Sequence, residues 1–121
     1  MEKETLLIIE DNPLLSGMYK STFEKRGLNV IIAFNGEMGL QIVKEHPINI
    51  IILDLLMPGM NGIEILRKLK NNPETKEIKV FILTSVKEQD YIDDAKKFGA
   101  ADYLIKTDLA LSEIVDRVLK I

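Results

Sequence analysis

Short, almost unbroken apolar runs alternate along the chain with longer segments whose apolar residues recur at helical spacing. The runs are Leu6-Leu7-Ile8-Ile9, Val30-Ile31-Ile32-Ala33, Ile50-Ile51-Ile52-Leu53, Val80-Phe81-Ile82-Leu83 and the stretch from Ala100 to Ile105. Continuous runs rich in β-branched residues, rather than alternating ones, mark strands buried on both faces. Between them, Leu111, Ile114, Val115, Val118 and Leu119 form one stripe of a helix. Ile63, Leu66 and Leu69 form another, and Leu14, Leu15, Met18, Tyr19 and Thr22 a third. The segment from Lys87 to Lys97 is the most polar and least regularly amphipathic of the helical stretches.

The punctuation agrees with this alternation. Gly27, His46-Pro47, Asn71-Asn72-Pro73 and Gly99 stand where the first four helices should end. Asn12-Pro13 suits a capping residue followed by proline at the first helical position. The result is a strand–helix unit used five times, which predicts a doubly wound α/β fold with a parallel sheet and helices on both faces. No linker, low-complexity stretch or repeat beyond the strand–helix unit interrupts it, so one domain over 1–121 is expected.

Composition narrows the chemistry. At 121 residues folding hides roughly two-thirds of the unfolded surface, so neither disulfide nor structural metal is required. The absence of cysteine removes thiol nucleophiles, thiolate zinc sites and iron–sulfur clusters. Sixteen basic against nineteen acidic residues give a net charge of −3, which argues against direct binding of nucleic acid or of a membrane surface. The one histidine excludes a multi-histidine metal site within a single chain. The charged start Met1-Glu2-Lys3-Glu4 does not resemble a secretory signal, and the longest apolar stretch, Ile48 to Met57, is too short to span a bilayer, so a cytoplasmic location is expected.

In an open parallel sheet, ligands bind where loops leave the carboxyl ends of the strands. The polar residues there are Glu10 and Asp11 after the first run, Asp54 at the end of the third, Thr84 and Ser85 after the fourth and Lys106 after the fifth. Phe34-Asn35-Gly36, after the second, reads as a plain turn. Glu10 and Asp11 could simply cap a helix. Asp54 is harder to explain that way, because a carboxylate hemmed in by apolar residues is costly unless paired or metal-bound. Thr84 and Lys106 are uninformative alone, and gain weight only from standing where they can meet the carboxylates. Carboxylate oxygens without histidine or thiol suit a hard divalent cation such as Mg²⁺. Phosphoryl transfer needs mainly positioning and neutralisation of three equatorial oxygens, which Mg²⁺, Lys106 and the Thr84 hydroxyl can share. Asp54 is then the candidate nucleophile, forming an aspartyl phosphate.

These residues resemble the receiver domain of two-component response regulators over essentially the whole chain. The matching pieces are Glu10-Asp11, the run Asp54-Leu55-Leu56-Met57-Pro58-Gly59-Met60-Asn61-Gly62, Thr84-Ser85, and Gly99 through Lys106. The resemblance implies a flavodoxin-like fold of five parallel strands in the order 2-1-3-4-5. It implies that Asp54 accepts phosphate from a sensor histidine kinase or a histidine phosphotransfer protein. Asp11 and Asp54 would bind Mg²⁺ directly with the backbone carbonyl of Leu56, and Glu10 would act through a metal-bound water. Lys106 would hold a phosphoryl oxygen, Thr84 would swing towards the phosphate, and Tyr103 would turn inward as a switch. That movement would remodel the surface of helix 4, strand 5 and helix 5 for a downstream protein target or a phosphorylation-dependent homodimer.

Two departures from the family pattern stand out. Thr107 follows Lys106 where proline is usual. A non-proline cis peptide costs about 3 kcal/mol, which favours a trans bond or an altered loop. Glu10 stands where aspartate is common. Leu56 and Val86, two residues past Asp54 and Thr84, correspond to positions that line the path of the attacking water; neither can orient it, so slow self-dephosphorylation is expected.

Three rivals share parts of this pattern. A flavin mononucleotide binder would need a small-residue phosphate loop after the first strand, where Glu10-Asp11-Asn12-Pro13 places negative charge. A haloacid-dehalogenase-type phosphatase resembles Asp-x-Asp after the first strand, whereas here the nucleophile candidate follows the third. A pseudo-receiver acting only as an interaction module is kept open by the Lys106-Thr107 departure. Met57, Met60 and His46 read as packing, loop and helix-end residues.

Overall fold

The computed structural model describes residues 3–120, so Met1, Glu2 and Ile121 of the expected 1–121 domain lie outside the described residues. The elements run β1 (Thr5–Ile9), α1 (Pro13–Lys25), β2 (Asn29–Ala33), α2 (Gly36–Glu45), β3 (Ile50–Leu53), α3 (Gly62–Asn71), β4 (Lys79–Thr84), α4 (Gln89–Lys97), β5 (Asp102–Ile105) and α5 (Leu111–Leu119). All strand pairs are parallel, and the sheet order is β2-β1-β3-β4-β5, as expected.

The unbroken apolar runs are explained by what lies on each side of the sheet. Alternate residues of a strand point to opposite faces. Leu7, Ile9, Ile51, Leu53, Val80 and Ile82 pack in one core with Ile42 of α2, the Ile65-Leu66-Leu69 stripe of α3 and Ala95 of α4. Leu6, Ile8, Ile50, Ile52, Phe81 and Leu83 pack in a second core with Tyr19 and Phe23 of α1 and Ile114, Val115 and Val118 of α5. With helices on both faces, no strand residue in the middle of the sheet has a solvated side.

Local signals set the ends. Asn12, Asn35 and Asn61 cap α1, α2 and α3, their side-chain oxygens accepting backbone N–H groups at 2.8–3.1 Å. Pro13 occupies the first turn of α1. The α4 start has no side-chain cap, and of its nine residues Ala95 alone is buried, so this helix is the least anchored of the five.

Two readings are corrected. Leu14 and Met18 are not core: they are exposed, Leu14 by 85%, and Ser16, Tyr19 and Phe23 form the buried arc of α1. Both arcs contain apolar residues at i, i+4 spacing, so the period is right and the phase wrong. The fifth strand begins at Asp102 rather than Ala100, because the Ala100 N–H closes the end of α4 on the Ala95 carbonyl at 2.9 Å.

Candidate functional site

Parallel connectivity puts every strand's carboxyl end on one edge, and ladder hydrogen bonds that continue past the strands set the polar residues side by side. The Glu10 N–H donates to Ala33 O at 3.0 Å, the Asp54 N–H to Ile9 O at 3.1 Å and the Lys106 N–H to Thr84 O at 2.9 Å. Glu10, Asp54 and Thr84 are buried, whereas Asp11 is exposed at the mouth.

Lys106 spans the two buried carboxylates. Its Nζ donates to Glu10 Oε1 at 2.6 Å and to Asp54 Oδ2 at 2.9 Å. The remaining oxygens are also engaged: Glu10 Oε2 accepts the Asn12 N–H at 3.1 Å, and Asp54 Oδ1 accepts the Leu56 N–H at 3.1 Å. Asp11 completes an acidic cluster with them, one carboxylate oxygen from each of the three lying within 4.8 Å of the others. An oxygen-only donor set of this kind fits a hard divalent cation.

Burial pushes the Glu10 carboxyl above the ordinary glutamate range, and the Asp54 charge adds to it, against the pull of the Lys106 and Asn12 hydrogen bonds. Burial alone would lower the Lys106 ammonium. Its hydrogen bonds to Glu10 and Asp54 outweigh that effect and raise it above the ordinary lysine value. Beneath the site, burial raises the Tyr19 hydroxyl, which also feels the charges of Lys106, Glu10 and Asp54. Sequence reasoning assigned Tyr19 only to a helix stripe, and nothing in its spacing signals the proximity.

The loop between β3 and α3 holds Asp54 in place through two glycines. Gly59 has φ +90°, a conformation that side chains disfavour. At Gly62 a Cβ would lie 2.8 Å from Leu55 Cα and 2.9 Å from the Asp54 carbonyl oxygen, so only glycine lets α3 start this close to the loop.

Thr84 and Tyr103 meet on one segment. The Thr84 hydroxyl oxygen accepts the Val86 N–H at 3.5 Å, and the Tyr103 hydroxyl donates to the Val86 carbonyl at 2.7 Å. Burial pushes the Tyr103 phenol up to about 12, and the Glu88 charge contributes. Tyr103 packs against the core shared by α2, α3 and α4. The loop carrying Val86 is tied to the turn after β5 by the Lys87–Asp108 ion pair at 3.1 Å. That turn, in which the Asp108 N–H donates to Ile105 O at 3.0 Å, carries Thr107 in place of the usual proline; among the described residues no peptide is cis. Leu56 is exposed by 57% and Val86 is buried.

Among the described residues no helix is long and apolar enough to cross a membrane. The sequence model of the response regulator receiver domain matches residues 6–119. Sporulation initiation phosphotransferase F of Bacillus subtilis (strain 168) is 35% identical over 120 residues, 99% of this chain and 94% of that protein. A response regulator from Thermotoga maritima is 25% identical with a TM-score of 0.86, covering 98% of this chain and 97% of that one. The Mn(2+)-bound form of response regulator Rcp1 is 25% identical with a TM-score of 0.83, covering 97% and 90%.

Proposed function

The chain belongs to the response regulator receiver domain family, phosphoacceptor signalling domains of two-component systems, and from that premise we propose that Asp54 is its phosphoacceptor, served by Lys106, Thr84 and an acidic Mg²⁺ site. The observation that carries the assignment is the Lys106 ammonium held between Glu10 and Asp54, with the Asp11 carboxylate beside them. A pseudo-receiver would have no need to keep two buried carboxylates and their cation in register.

The roles follow from position. Asp11, Asp54 and the Leu56 carbonyl would hold Mg²⁺, and Glu10 would act through a bound water; the metal supplies positive charge for the phosphoryl oxygens. An Asp54 carboxylate oxygen attacks phosphorus in line with the leaving group, while Lys106 neutralises one equatorial oxygen and the Thr84 hydroxyl donates to another. Thr84 and Tyr103 both bond to Val86, so drawing the Thr84 hydroxyl towards the phosphate releases the Val86 N–H that it accepts and alters the segment Tyr103 holds. Since α4 is anchored by one buried residue, the surface of α4, β5 and α5 is the part able to respond at low cost.

The donor would be a phosphohistidine on a sensor kinase or phosphotransfer protein, and the reader a downstream protein or a second copy of the chain, in the cytoplasm. The domain would catalyse only its own phosphorylation and dephosphorylation. With Leu56 and Val86 flanking the site, the aspartyl phosphate would be long-lived. Incubation with Mg²⁺ and acetyl phosphate, followed by intact mass, should give one base-labile phosphoryl adduct and none in Asp54→Ala. An adduct that persists in the variant overturns the assignment.

A further inference from the structure

α2 and α3 pack on the same core, and their contact is close at one end only. At Gly36, the first residue of α2, a Cβ would collide with the Ile65 side chain of α3. Further along the two helices, away from the carboxyl edge of the sheet, an open groove of about 360 Å³ lies between them. Half-buried Leu40 and Val43 of α2 and buried Leu69 of α3 form its apolar side. Lys44 and Lys68 bring two ammonium groups to it and Glu74 one carboxylate. All three are exposed, and among the described residues none of them is in an ion pair. The turn after α3 closes the groove and is held firmly. The buried Thr75 hydroxyl donates to Leu69 O at 2.6 Å, and the Thr75 and Lys76 N–H groups donate to Asn72 O at 3.0 and 2.9 Å. Lys70 Nζ ties the far side of the turn, donating to Lys76 O at 2.9 Å and to Ile78 O at 2.7 Å. The Asn72 side-chain oxygen accepts the Glu74 N–H at 2.9 Å, and its amide nitrogen donates to no group among the described residues. A preformed concavity with an apolar side and a few polar groups is the usual form of a small-ligand site.

We propose that this groove binds a small aliphatic monocarboxylic acid, its tail along Leu40, Val43 and Leu69 and its carboxylate at Lys44 and Lys68. Charge selects the class. Two ammonium groups against the one carboxylate of Glu74 leave a single net positive charge, which matches a single anionic group. A second carboxylate on the ligand would meet Glu74, and an amine in place of the acid would meet the two lysines. The Asn72 amide supplies a further donor for the bound carboxylate. At roughly 30 Å³ for each water-sized group, the groove holds about a dozen heavy atoms, the size of a short aliphatic acid. The site is separate from the acidic cluster at the carboxyl edge and does not depend on the role of Asp54.

The test is a titration of the full chain, labelled with nitrogen-15, with hexanoate, read from its backbone amide resonances. Saturable shifts should gather at 40–44 and 68–75, with a dissociation constant in the millimolar range expected of so few atoms. Acetate, which lacks the tail, should bind about tenfold more weakly. Hexanol, hexylamine and hexanedioate should each bind about fivefold more weakly than hexanoate. Replacing both cations, Lys44→Gln with Lys68→Gln, should weaken hexanoate about fivefold and leave hexanol unchanged, and the same spectra show that the variant is folded. Three results overturn the proposal: no saturable shift, hexanol or hexylamine binding as tightly as hexanoate, or hexanoate binding equally well to the double variant. Shifts of the same resonances with protein concentration alone would mean that a second copy of the chain covers the groove, which also overturns it.

Discussion

Removing the cation from the site should expose how much its carboxylates depend on it. In Lys106→Met the packing of the aliphatic stem is largely kept, while Glu10 and Asp54 lose the donor they hold at 2.6 and 2.9 Å. Both carboxylates are at most 6% exposed as side chains, and Lys106 itself is 16% exposed, so solvent replaces little of the lost interaction. Removing one partner of a buried ion pair costs about 3–5 kcal/mol. Proton uptake by Glu10 offers a partial escape, and we expect a loss of about 2–3 kcal/mol at pH 7.5 in metal-free buffer, or roughly 10 °C in Tm.

The pH dependence separates this cause from lost packing. Burial already raises Glu10 above its unfolded value of 4.5, and without Lys106 it must rise further. A carboxyl raised in the folded state contributes stability that is complete below the unfolded pKa and lost as pH climbs through the folded one. The variant therefore loses more than the wild type between pH 4.5 and 7.5, and the gap between them should shrink by at least half as the pH is lowered to 4.5. Asp54→Asn is the control, since it removes a carboxylate and leaves the Lys106–Glu10 pair; its Tm should equal or exceed that of the wild type. Thermal melts in EDTA at four or five pH values decide the matter. A Lys106→Met deficit constant across that range would refute the electrostatic reasoning.

Gly62→Ala should lower stability by about 1–3 kcal/mol in denaturant titration and slow Asp54 adduct formation, because the new methyl group meets backbone atoms of Leu55 and Asp54 at 2.8–2.9 Å. Leu56→Asn with Val86→Glu should shorten the half-life of the adduct about tenfold, since both new side chains can orient water; an unchanged decay in intact-mass time courses would count against the account of a long-lived phosphate. Spectrophotometric titration should show the Tyr103 phenol ionising only near pH 12, and the loss of that delayed phase in Tyr103→Phe would identify it. Tyr103→Phe should cost about 1 kcal/mol at neutral pH, where the phenol is protonated in both the folded and unfolded states, because the Val86 carbonyl loses its 2.7 Å donor.

The sheet was legible because a parallel strand with helices on both faces has no polar side to confuse the pattern, and Ile50–Leu53 is bounded as the apolar run predicts. The convergence of Glu10, Asp54 and Lys106 was legible for a topological reason: parallel strand–helix units deliver all strand carboxyl ends to one edge. What escaped was phase and partnership. The α1 segment has two apolar arcs, and choosing Leu14 and Met18 over Ser16 and Phe23 required knowing how the helix rolls on the sheet. The Glu10–Lys106 contact is equally invisible in spacing, since it joins positions 96 residues apart and depends on the extra methylene of glutamate and on the Asn12 N–H that turns its carboxylate.

Charge ties the site's resting arrangement to its proposed use. Three carboxylates against one ammonium leave the cluster two charges negative, a state that would repel an incoming phosphoryl dianion. A divalent cation among those oxygens cancels the excess, which is why metal should precede phosphate rather than follow it. Phosphorylation of Asp54 would turn a monoanionic carboxylate into an acyl phosphate bearing about two negative charges, and the phosphoryl oxygens would compete for Lys106 with Glu10, whose oxygen lies closer to its ammonium than that of Asp54. Lys106 follows β5 directly, and its backbone N–H is bonded to Thr84. Any shift of the ammonium towards phosphate is therefore shared between the ends of β4 and β5, the two strands whose loops are joined by Tyr103–Val86 and Lys87–Asp108. The electrostatic change enters at the part of the sheet edge next to the helix least anchored to the core, and that adjacency allows a charge placed on one carboxylate to alter a surface.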